Sequence, residues 1–99
     1  MKHPYKVRMG GQDILVEIVE SLPGSLAGQC YLHNGVISIA NKVRDGLDQS
    51  ETSKINTFYH ELVHCILDTM GEYDLSSNEK FVSCFAGFLA EAMQDAKFD

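Results

Sequence analysis

The stretch Thr57-Phe58-Tyr59-His60-Glu61-Leu62-Val63-His64-Cys65-Ile66-Leu67 marks where the pattern of this chain changes from strand to helix. It lies within Glu51 to Met70, where Ile55, Phe58, Tyr59, Leu62, Ile66 and Met70 recur at helical spacing and form an apolar stripe. Gly71 follows as a natural C-terminal stop. Everything before residue 50 reads instead with period two or as turns.

Upstream, Lys6 to Met9 and Ile14 to Glu20 flank Gly10-Gly11-Gln12, which predicts a hairpin. Leu22-Pro23-Gly24-Ser25 is a loop by composition. Gln29 to His33 and Val36 to Ala40 flank Asn34-Gly35, a strong signal for a two-residue hairpin turn. Downstream, Gly71 to Ser77 predicts a loop, and a second helix runs from Asn78 to about residue 95. Phe81, Phe85, Phe88, Leu89 and Ala92 line its apolar side. The predicted architecture is α+β: a small antiparallel sheet of about four strands over residues 1–49, then helices over about 51–70 and 78–95, in a single domain 1–99.

Bulk properties fit an ordinary globular domain. The chain has 99 residues, 44% hydrophobic and 22% charged, enough for one core. A formal charge of −6, with eight scattered Lys and Arg, argues against nucleic acid and against anionic membrane surfaces. No apolar run reaches the ~20 residues of a membrane span, and Met1 to Tyr5 carries no leader-like core, so a cytoplasmic location is expected. Cys30, Cys65 and Cys84 form an odd set without a Cys-x-x-Cys pair and read as reduced, mostly buried thiols.

His60-Glu61-Leu62-Val63-His64 carries the chemistry. Residues i and i+4 of a helix share a direction and lie ~6 Å apart along its axis, so both imidazoles can meet one metal ion. Leu62, Ile66 and Tyr59 would project the other way. Zinc suits imidazole nitrogen, and a catalytic zinc keeps three protein ligands and one open position. Glu61, beside the pair, is placed to take a proton from a water that the metal has acidified. A third ligand is predicted at Glu79, in the first turn of the second helix, where Ser83, Ala86 and Ala90 continue a face of small side chains. The competing reading of Glu79 is a capping box, Ser76-Ser77-Asn78-Glu79. Asp68, His33 and His3 are weaker donors by position, and Cys65 points about 100° from His64.

With these residues in place, the chain resembles the zincin metallopeptidases of the gluzincin kind, in particular the small ImmA/IrrE-type domains and their phage-encoded relatives. The likeness spans Leu26 to about Met93, roughly two thirds of the chain. It rests on Thr57 to Leu67 and on Asn78-Glu79-Lys80-Phe81-Val82-Ser83-Cys84-Phe85-Ala86. It implies a zincin-like minimal metalloprotease domain holding one zinc ion on His60, His64 and Glu79, with Glu61 as general base. It also implies supporting roles for Asn78 and Ser83, since thermolysin-like relatives place Asn before the ligand Glu and such families often place Asp or Asn four after it; Ser83 is a weaker partner than either. The same likeness makes the Val36-to-Ala40 strand the upper rim of the cleft, open to an extended peptide. A phage or prophage origin would agree with it.

The expected reaction is peptide-bond hydrolysis of a peptide or protein substrate, with Glu61 passing its proton to the leaving amine. The oxyanion needs a further donor, and Tyr73, Tyr31 and His33 are the candidates. A non-peptide amide would use the same residues. The rival from another class is a catalytically silent, zinc-stabilised module that captures a host factor. A retained base at position 61 favours the enzyme.

Overall fold

The computed structural model describes residues 3–99, without the side chain of Asp45. Four strands come first: β1 (Lys6–Met9), β2 (Gln12–Val19), β3 (Gly28–Tyr31) and β4 (Val36–Ala40). Three helices follow: α1 (Glu51–Met70), α2 (Tyr73–Ser76) and α3 (Glu79–Asp95). The α+β class and both long helices agree with the sequence. The segment expected as a plain loop between them contains one helical turn, α2.

The sheet is mixed, not antiparallel, with strand order β1-β2-β4-β3. β1 with β2 and β3 with β4 are antiparallel, while β2 and β4 run parallel from Leu15–Val36 to Val19–Ala40. Burial explains the order. Ile37, Ser38, Ile39 and Ala40 are all buried, and a strand with no solvent face needs an interior slot. β3 is laid down first at the edge, and β4 turns back into the gap beside β2. The Val36-to-Ala40 strand is therefore paired on both sides, and the open edges of the sheet belong to β1 and β3.

The two hairpins also exchange turn types relative to expectation. Met9 pairs with Gln12 across Gly10 and Gly11, whose φ angles of 58° and 80° make the two-residue turn with both central residues left-handed. Tyr31 pairs with Val36, so Asn34-Gly35 sits in a four-residue connection in which Gly35 alone has positive φ.

Ser50 caps α1 by accepting from Ser53 N at 3.1 Å. At the other end Gly71 is left-handed, and the N–H groups of Gly71 and Glu72 return to Asp68 O and Leu67 O. Between these caps α1 meets β1, β3 and β4 on one side and α3 on the other. Its burial is correspondingly two-sided. Ile55, Phe58, Tyr59, Val63, Cys65 and Leu67 are in the core, Leu62 and Ile66 are half-buried, and Met70 is exposed.

α3 is rotated from expectation. Val82, Ala86 and Ala90 are its buried residues and Phe81 and Leu89 pack half-buried against the core, whereas Phe85 and Phe88 are 51% and 70% exposed and Ala92 is exposed. Small side chains let the two helix axes approach closely, and Phe85 and Phe88 face outward. Among the described residues no helix is long and apolar enough to cross a membrane.

Candidate metal centre

Two adjacent stripes of α1 build the site. Thr57, Glu61 and Cys65, four residues apart, face β3. A Cβ added to Gly28 would lie 2.5 Å from Thr57 Cγ2 and 3.1 Å from Glu61 Cγ, so only glycine permits this approach of strand to helix. Farther along β3, the Cys30 thiol shares a hydrogen bond with Cys65, which holds the Cys30 proton and raises its pKa. The rim is tied down by Gln49, whose Nε2 donates to Ala27 O at 3.1 Å and Ala40 O at 2.7 Å. Its Oε1 accepts from Ser53 Oγ at 2.7 Å and Thr57 Oγ1 at 3.0 Å. One buried amide thus links the start of β3, the end of β4 and the first turns of α1.

His60 and His64 occupy the next stripe, rotated toward the start of α3. Asn78 caps α3 by accepting from Phe81 N at 3.1 Å, which fixes Glu79 in the first turn. The Glu79 carboxylate spans both imidazoles, with Oε2 at 3.2 Å from His60 Nε2 and Oε1 at 3.1 Å from His64 Nε2. The capping box is not formed, because the cap is Asn78 and the Glu79 side chain goes to the histidines. The donor atoms of His60, His64 and Glu79 all lie within 4.8 Å of one another, and this group can hold a metal ion.

The donor set fits such an ion. Bonds of ~2.0–2.1 Å to imidazole and carboxylate in a tetrahedron place neighbouring donors about 3.3 Å apart. Each imidazole nitrogen lies about that far from one Glu79 oxygen, a different oxygen in each case, so the three groups would draw slightly together around a single ion. Burial lowers the His60 pKa against the opposing pull of Glu79, a shift toward the neutral form that ligates metals. His64 Nδ1 lies 3.0 Å from Ser76 Oγ. A ligating Nε2 leaves the ring proton on Nδ1, which then donates to Ser76 and fixes the ring.

Glu61 is 9% exposed, and burial pushes its carboxyl up to about 7, with Glu79 adding to the rise and His64 opposing it. A cleft of about 330 Å³ opens beside it, with Leu26, Ala27 and Gly28 on one rim and Asn56, Thr57 and His60 on the other. The arrangement combines three donors able to hold a cation, a buried carboxyl whose pKa is raised, and a cleft lined by His60 and Glu61.

The remaining candidates are placed elsewhere or differently. Asn78 spends its side-chain oxygen on the cap of α3. Ser83 lies on the exposed side of α3, with Cys84, Gly87 and Phe88. Tyr31 shares the β3 face of Gln29, opposite the face Gly28 and Cys30 turn to α1, and its hydroxyl accepts from Gln29 Nε2 at 2.6 Å. His33 belongs to the β3–β4 turn, which is held to the first hairpin by a bond from Gln12 Nε2 to Leu32 O. Tyr73 opens α2 and is 66% exposed. His3 stands beside Phe58, with ring centroids 6.3 Å apart. Of the cysteines, Cys65 is buried, Cys30 half-buried and Cys84 exposed, against the expectation that most would be buried.

Ser76 is the site residue that the sequence did not disclose. By sequence it belongs to a capping box ahead of α3, and only the turn of α2 brings it to His64. Comparison of the chain with protein-family models, curated proteins and solved structures finds no match, so the reading of this site rests on its own geometry.

Proposed function

We propose that the chain is a zinc metallopeptidase of the gluzincin type, with His60, His64 and Glu79 as ligands and Glu61 as general base. The observation that carries this reading is the place of Glu61. It is a buried carboxyl, raised to about 7, next to a three-donor cation site and on the wall of an open cleft. Held by His60, His64 and Glu79, a zinc ion would supply Lewis acidity toward water and a carbonyl.

The chain's own groups supply the rest. Glu61 accepts the proton of the attacking water and delivers it to the leaving amine from its buried place beside the three donors and on the cleft wall. Ser76 holds the His64 ring through Nδ1. β3 pairs with β4 on one side only, and its approach strand, Leu26 to Gly28, borders the cleft. An extended peptide can align along this edge with its scissile bond over Glu61.

Metal analysis and a peptide-library assay with and without chelator test the proposal. Glu61→Gln should retain zinc and melting temperature while cleavage falls about 10²-fold or more, the scale of losing a general base. A Glu61→Gln protein that cleaves at the wild-type rate overturns the mechanism. Wild-type protein that holds zinc yet cleaves nothing supports the zinc-stabilised binding module instead.

A further inference from the structure

α3 turns a stripe of side chains to solvent: Lys80, Cys84, Gly87, Phe88, Glu91 and Asp95, all exposed and spaced so that they follow one line along the helix. At 1.5 Å per residue the stripe is about 22 Å long. It is basic at its first position, aromatic in the middle and acidic at its end. Phe88 is 70% exposed, and Phe85 next to the stripe is 51% exposed. Nothing lies within 4 Å of a Cβ built on Gly87, and a depression of about 290 Å³ opens there between Ser83, Cys84 and Phe88. A projecting ring and an empty dent therefore sit side by side. Among the described residues neither Lys80 nor Asp95 has an ion-pair partner, although Lys6, Arg8, Lys42 and Lys54 each have one.

We infer that this face binds a second copy of the chain, with the two α3 helices packed antiparallel about a two-fold axis between Gly87 and Phe88. That arrangement seats each Phe88 over the partner's Gly87 and brings Lys80 to the partner's Asp95 at both ends. The order of charges decides the occupant. A basic start and an acidic end complement the same stripe when it is reversed, whereas a parallel pairing sets Lys80 on Lys80 and Asp95 on Asp95. The dipoles of antiparallel helices also oppose favourably. An apolar centre with a charged rim has the anatomy of a specific interface, and a two-fold contact uses one patch on both copies. A single helix pair buries area at the lower end of such interfaces, so a dissociation constant on the order of micromolar is expected.

Sedimentation velocity on the full chain across a dilution series from millimolar to sub-micromolar reads the association. Phe88→Asp should give monomer throughout, with melting temperature near wild type because the ring is exposed. Lys80→Glu and Asp95→Lys should each weaken the dimer about tenfold or more, since each creates two like-charge contacts. The double variant Lys80→Glu/Asp95→Lys restores both contacts with signs exchanged and should recover most of the affinity. Wild-type protein that stays monomeric overturns the proposal, as does a dimer indifferent to Phe88→Asp. Failure of the double variant to recover refutes the antiparallel arrangement.

Discussion

Glu61 occupies surroundings that disfavour its own charge. Its folded pKa of about 7 stands above the ordinary 4.5, so the fold favours the protonated form. That contribution is complete below about pH 4.5 and is lost as pH rises through 7. In chelator, wild-type protein should therefore lose on the order of 3 kcal/mol relative to Glu61→Gln between pH 4.5 and 8. Urea unfolding of both proteins at the two pH values measures the difference, and equal slopes would contradict the burial argument. The lowered pKa of His60 acts in the opposite sense, reducing stability as the pH falls below 6.5, and is shared by both proteins. A cation on the three donors would pull Glu61 back toward its charged form, so zinc should reduce the gap. Ser76 offers a second test at this scale. Ser76→Ala frees Nδ1 of His64 and should weaken metal binding about 10- to 100-fold, while Ser83→Ala, on the far side of α3, should leave it unchanged. Competition with a chromogenic chelator reads both.

Among the elements, β3 approaches α1 closely at Gly28, where a side chain would have no room. Gly28→Ala places a methyl group 2.5 Å from Thr57 Cγ2 and should cost about 1–3 kcal/mol as strand and helix are forced apart. Thr57→Ser removes that Cγ2, so the double variant should regain part of the loss in a thermal melt. Such an approach could not be read from the sequence, where Gly28 stands inside an ordinary loop-to-strand passage. The long helices and the first hairpin were legible because their signals are local: helical spacing, Gly71 and Gly10-Gly11. The orientation of α3 was not. Counting hydrophobicity assigns the core side to the phenylalanines, but packing against α1 is decided by how closely backbones approach, and Val82, Ala86 and Ala90 win that contest. Sheet order was hidden for a related reason, since no local signal reports that β4 enters a slot left open by its predecessor.

For the molecule as a whole, α1 is the element that meets both the sheet and α3, and this explains how much of the site could be read in advance. His60, Glu61 and His64 are fixed by one helix and follow from spacing alone. Glu79 depends on which face of a second helix approaches α1, and the face of Glu79, Ala86 and Ala90 does so even though Phe85 and Phe88 turn outward. Ser76 depends on one turn of helix between two longer ones, for which the sequence carries no periodic signal. The parallel seam between β2 and β4 has a kinetic consequence. Both hairpins and α1 can form from neighbouring residues, but Leu15 meets Val36 only after the intervening turn and strand have been brought round. Loop-closure entropy is spent there before any side chain is buried in return. The seam should therefore form the barrier to refolding. Val16→Ala, beside Ile37, should slow folding by most of its equilibrium destabilisation, whereas Met9→Ala at the first hairpin should act mainly on unfolding. Stopped-flow chevrons of the two variants decide it, and the reverse partition would place the rate-limiting event in the hairpin instead.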